Sequence, residues 1–160
     1  MRTWAALTVA LLLGCDPPVD PEAGCGVGPG SVEVGRVVGS RLESLPLEGG
    51  ELPIIRGPQG GIHVLVGVWV DGLDLELDLN YRLRDPETGD RIGDETRLAL
   101  RPSLFDRTGP RPERSPDLLI LEEFAAPVED FAGREAWLEA EAISTEGIAC
   151  DSRRVTLLGD

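Results

Sequence analysis

Lysine is absent from this chain of 160 residues; its basic side chains are 15 arginines, set against 29 aspartates and glutamates for a formal net charge of −14. Gripping nucleic-acid phosphate takes a concentrated basic face, so this balance excludes a nucleic-acid partner. Aromatic residues are scarce at 4%. Long apolar runs are missing too: the stretch from Trp4 to Leu13 falls well short of the about 20 residues that a bilayer core requires. One histidine, His63, and three cysteines cannot assemble a zinc site at these positions, so no metal ligands are assigned. The glycine-rich Gly57-Pro58-Gln59-Gly60-Gly61 leads into a strand pattern, with no following helix to aim amides at a phosphate. What is present is 41% apolar residues, enough for a core, with 20 glycines and 13 prolines that call for many turns.

The first thirty residues carry the clearest statement about location. Arg2, the short apolar run and Gly14-Cys15 form the pattern of a removable export signal. Leu12-Leu13-Gly14-Cys15 resembles the lipobox of bacterial lipoproteins. That resemblance implies a signal peptide over 1–14, a lipid on Cys15, attachment to a membrane through that lipid, and residence in a bacterial cell envelope on its periplasmic or surface side. With Cys15 so used, Cys25 and Cys150 remain, and an oxidising compartment lets them form a disulfide. Residues 15–30 are rich in Pro and Gly without apolar periodicity and read as a tether, leaving 31–160 as one domain. Loss of residues 1–14 removes Arg2 and no acid, so the mature chain carries −15, which opposes close contact with anionic lipid and leaves the acyl chains to attach it.

Within the domain the periodicity is that of strands. Leu73, Leu75, Leu77, Leu79, Tyr81 and Leu83 alternate with polar residues and predict a half-buried antiparallel strand. Upstream, Ile62 to Val70 is nearly all apolar and predicts a central strand, joined to the first by an Asp71-Gly72 hairpin turn. Further strands are expected over Ser31–Val38, Leu52–Ile55 as an edge piece interrupted by Pro53, Thr96–Leu100, and Asp117–Glu122, with a turn at Pro86–Asp90. Glu135 to Ala142 is built of helix formers, yet Ala136, Leu138, Ala140 and Ala142 share one parity, and the alternation predicts a strand paired through Thr145-Glu146-Gly147 with Ile148–Leu158. Phe131 to Ala142, Gly147 and Val155-Thr156-Leu157 are similar to the last hairpin of immunoglobulin-like and fibronectin type III modules. The expected fold is therefore all-β: an antiparallel immunoglobulin-like β-sandwich of about seven strands, with Trp69 or Trp137 filling its core.

No catalytic set stands out. His63 lies in an apolar strand and reads as a structural imidazole, and no carboxylate pair is singled out, so the chain is expected to be non-enzymatic and without a cofactor. Asp74, Glu76 and Asp78 read as a solvated strand face balanced by Arg82 and Arg84. The most distinctive segment is Arg101 to Pro116, which holds four arginines and four prolines; Arg101, Phe105, Arg107, Arg111 and Arg114 make it the candidate interaction loop for an acidic protein or a glycan. The function implied is binding or structural, through loops at a sandwich end. A glycan-, small-ligand- or calcium-binding domain is the alternative.

Overall fold

The computed structural model describes residues 25–122 and 127–159. Nine strands carry the fold: β1 (Ser31–Val38), β2 (Arg41–Ser44), β3 (Gly50–Arg56), β4 (Ile62–Asp71), β5 (Leu77–Arg84), β6 (Arg91–Leu100), β7 (Glu113–Glu122), β8 (Glu135–Ser144) and β9 (Gly147–Leu158). Two 3-10 turns, Pro102–Leu104 and Val128–Asp130, are the only helical pieces among the described residues. The strands form one sheet that curls into two layers. In the first, β6, β5, β8 and β9 are neighbours; in the second, β4 pairs with β1 and β3 along one edge and with β7 along the other, and β2 caps β1. The all-β antiparallel sandwich holds, with nine strands in place of about seven. β2 escaped the periodicity because only Leu42 of its four residues is buried.

β3 is the second correction. It is no edge piece: Gly50–Pro53 runs parallel to β9, and Ile54–Arg56 runs antiparallel to β4, so one strand serves both layers. Pro53 stands at the switch, where a residue without an N–H interrupts neither ladder.

The Asp71-Gly72 turn also differs from expectation. Gly72 does adopt the positive φ of 65°, but β4 and β5 never pair; the chain crosses from one layer to the other through residues 72–76. β4 is buried at Val64, Val66, Val68 and Val70, and both of its edges are already taken, so no edge is left for β5. Leu73 and Leu75 continue the alternation by plugging the end of the sandwich, and the Asp74 carboxylate accepts the Glu76 amide at 3.0 Å to hold the bend.

Burial decides β8 against its helical propensity. Ala136, Leu138, Ala140 and Ala142 all face the core, and both edges of the strand are hydrogen-bonded, to β5 and to β9. The core contains neither tryptophan: Trp69 and Trp137 are half-buried at outward positions. Tyr81 takes that place as the largest fully buried side chain. Its hydroxyl donates to the Asp117 carboxylate at 3.0 Å. Burial, with the Asp117 charge beside it, pushes the phenol well above its ordinary value, so it stays protonated and a donor.

Cys25 and Cys150 form the expected disulfide, with Cα atoms 5.5 Å apart. The described part of the 15–30 segment is fastened to the domain: the Val27 amide donates to the Ile148 carbonyl at 3.0 Å and the Ile148 amide to Val27 at 2.7 Å. Gly147 permits this approach, because a Cβ there would collide with the Val27 carbonyl. The bridge spans a sequence separation of 125 residues. A loop of that length is worth up to about 5 kcal/mol by chain entropy. Replacing both cysteines by serine is therefore expected to lower the unfolding free energy by about 3 to 5 kcal/mol and the urea midpoint with it. Urea titration of the two proteins checks this; an unchanged midpoint would remove the clasp from the account.

Candidate functional site

Strand register gathers the loops at two ends. Ser31 lies opposite Asp71, Leu77 opposite both Leu100 and Ser144, and Trp69 opposite Glu113, so residues 25–30, 72–76, 101–112 and 145–147 share one end. The turns at 57–61 and 85–90 mark the other. The ten residues of β4 put about 30 Å between them. The candidate loop therefore lies at the end where the chain enters through Cys25; Cys15 and its lipobox lie outside the described residues.

The loop does not present its five singled-out residues together. Phe105 is buried in the core. Paired amides of Asp106 and Glu113 close the excursion between them, and residues 113–116 already belong to β7. Arg114 meets the buried Asp117 at 2.6 Å. Arg111 lies over the Trp69 ring, 4.8 Å from its centroid, and pairs with Glu33 at 2.6 Å and Asp71 at 3.9 Å. Three of the five thus hold the fold. Arg101 and Arg107 remain exposed, without an ion pair among the described residues. Arg111, which reads as a recognition group on charge alone, is drawn onto Trp69 and Glu33 from distant parts of the chain, and Arg114 onto Asp117 three residues along its own strand.

The outward face of the first layer is a paired network. Arg82 Nε lies 2.9 Å from Glu139, and its other nitrogens reach Glu141 at 3.5 Å and Glu95 at 3.9 Å. Arg84 Nε joins Glu139 at 3.1 Å, and the Asn80 amide donates to Glu141 at 3.0 Å. Arg82 and Arg84 thus balance Glu95, Glu139 and Glu141 on the neighbouring strands rather than the Asp74, Glu76 and Asp78 row. Asp74 and Glu76 precede β5, so the expected acidic row reduces to Asp78.

Four carboxyls are held below their ordinary values, Asp106 among them through hydrogen bonds from the Thr108 amide and hydroxyl. Amides of Glu87 and Thr88, then Arg134, hold Asp85 down. A hydrogen bond from Arg97 lowers Glu95 against a smaller opposing effect of burial. Burial pushes Glu33 up, but the Ser44 hydroxyl and Arg111 outweigh it. Burial also lowers His63, favouring its neutral imidazole.

Clefts mark the surface. An apolar one of 490 Å³ lies over Pro58, His63, Leu118 and Ile120 on the outer face of β4 and β7. One of 440 Å³ opens between the ends of β6 and β7, at Arg91, Leu121 and Phe131. The third, also 490 Å³, lies at the chain-entry end, where Glu76, Asp78, Arg101, Ser144 and Thr145 surround Ala99 and Ile143. Of the singled-out residues Arg101 alone belongs to it. The others come from three strand ends brought together by pairing, and no local motif marks them.

Because Glu33, Asp85 and Glu95 are lowered on folding, the stability they confer is complete above about pH 5 and is lost as pH falls through their folded values, below the ordinary 4.5 and 3.8. Unfolding free energy measured in urea is expected to be flat from about pH 7 to 5 and to fall steadily beneath. Stability that rose on acidification would contradict these pairings.

No protein-family model matches the chain, and no curated protein does. The crystal structure of an immunoglobulin-like protein from Pseudomonas aeruginosa is similar to it at 17% identity, covering 83% of this chain and 98% of that one, with a TM-score of 0.31. The fold therefore rests on the strands and core of the chain itself.

Proposed function

We propose that the chain is a lipid-anchored module of a bacterial cell envelope, with a binding or structural role made by loops at a sandwich end and no reaction of its own. The observation that carries the reading is cysteine parity. Cys25 and Cys150 are bonded to each other, which leaves Cys15, preceded by Leu12-Leu13-Gly14, as the remaining thiol. A bridge joining the two ends of the domain suits an oxidising compartment, and export supplies one.

The geometry suits attachment at the chain start. The bridge and the Val27–Ile148 pair fix where residues 25–30 leave the sandwich. From there to Cys15, chain rich in proline covers roughly 30 Å if extended. Among the described residues no helix is long and apolar enough to cross a membrane, so the acyl chains supply the attachment in this reading. The charge of −14 disfavours anionic surfaces elsewhere on the molecule.

Intact mass of the protein taken from its native membrane tests the reading. The expected product begins at Cys15, carries added acyl mass, and has two further cysteines that alkylate only after reduction. A Cys15→Ser variant is expected to leave the membrane fraction. An unlipidated chain in the soluble fraction would overturn the anchor.

A further inference from the structure

We propose that the cleft at the chain-entry end of the first layer binds a neutral oligosaccharide. The proposal rests on the binding-module reading but not on the anchor. Leu77 pairs with Leu100 on one side and Ser144 on the other, so the start of β5 is flanked by the ends of β6 and β8. Glu76 and Asp78, Arg101, and Ser144 with Thr145 then surround a space of 490 Å³. That lies within the range of small-molecule clefts, about 300 to 1,000 Å³.

Charge use in this cleft differs from that in the adjoining rows of the layer. One row further along, Asn80, Arg82 and Arg84 are committed to Glu139 and Glu141. In the cleft, by contrast, the side chains of Glu76, Asp78 and Arg101 have no hydrogen bond or ion pair among the described residues. Acceptors and a donor thus stand around one space without meeting each other. Hydroxyl groups, which donate and accept, answer both. The floor matches as well: Asp78 lies in register between Ala99 and Ile143, so a carboxylate is flanked by two apolar pads that suit the C–H faces of a sugar ring.

Other ligands meet opposition. A cation answers Glu76 and Asp78 but leaves Arg101 facing a like charge, whereas an anion meets Glu76, Asp78 and the overall charge of −14; only a neutral polar ligand answers all three side chains. Among the described residues no group of three or more His, Cys, Asp or Glu is placed to hold a metal ion. No aromatic ring lines the space. Affinity is therefore expected in the millimolar range, about 0.1 to 5 mM.

The test titrates the full chain with cellotriose, maltotriose and triacetylchitotriose while the Ile143 methyl resonances are followed. Trigalacturonate and the deacetylated, cationic chitotriose serve as charged comparators. At least one neutral trisaccharide is expected to give saturable shifts, weakened about tenfold by Arg101→Ala and by Asp78→Asn and unchanged by Arg107→Ala, with melting temperatures preserved in all three variants. The proposal is overturned if no neutral sugar saturates by about 10 mM, if both cleft variants bind as the parent does, or if a charged comparator binds as tightly. A lipidated chain that ignores all sugars would sink the cleft alone; an unlipidated chain that binds them would sink the anchor alone.

Discussion

A buried carboxylate fixes how the two layers of this sandwich, packed on an apolar core, sit against each other. Asp117 projects inward from β7 and is nearly inaccessible, yet it is fully engaged: the Tyr81 hydroxyl from β5 reaches it across the core, and Arg114 closes over its other oxygen. Burying an unpaired carboxylate costs several kcal/mol, so Asp117 stays inside only while the layers remain at this separation. The opposite flank repeats the device. Asp151 of β9 accepts the Val34 amide of β1 at 2.8 Å and an Arg153 hydrogen bond at 2.9 Å. One carboxylate on each flank joins layer to layer at places where no backbone ladder runs between them.

Fixing the layers fixes the ends. With β4 occupied along both edges, the chain leaves it by an arch, and that arch places Glu76 and Asp78 beside the last residues of β6 and β8. The disulfide and the Val27–Ile148 pair bring the chain start to the same end. Arg111, drawn onto Trp69 and Glu33, pins the returning half of the 101–112 segment and leaves Arg101 to face the cleft. The proposed anchor point and sugar site therefore depend on the same packing.

Much of this was legible in the sequence. Leucine alternation over 73–84, the apolar stretch before it and the shared parity of Ala136, Leu138, Ala140 and Ala142 each marked an inward face, because a two-residue period admits one buried side. Pairing partners were less legible. Asp71-Gly72 announces a turn, but whether that turn reverses within a layer or arches between two depends on whether β4 has a free edge, which is a property of β1, β3 and β7. Pro53 likewise signals an interruption without saying that the strand changes layer there. The 101–116 segment shows the same limit: Arg111 looks available until Trp69 and Glu33 are brought beside it and Phe105 until the core closes over it, while Asp117, three residues from Arg114, gives no sign in the sequence that it is buried.

The most direct test is a double-mutant cycle between Tyr81 and Asp117, with Tyr81→Phe, Asp117→Asn and the pair compared by urea denaturation. If the buried carboxylate ties the layers as described, the two changes are strongly non-additive, with a coupling on the order of 1 to 3 kcal/mol. Additive effects, within about 0.3 kcal/mol, would mean that the Tyr81–Asp117 contact does not tie the layers and would contradict the account.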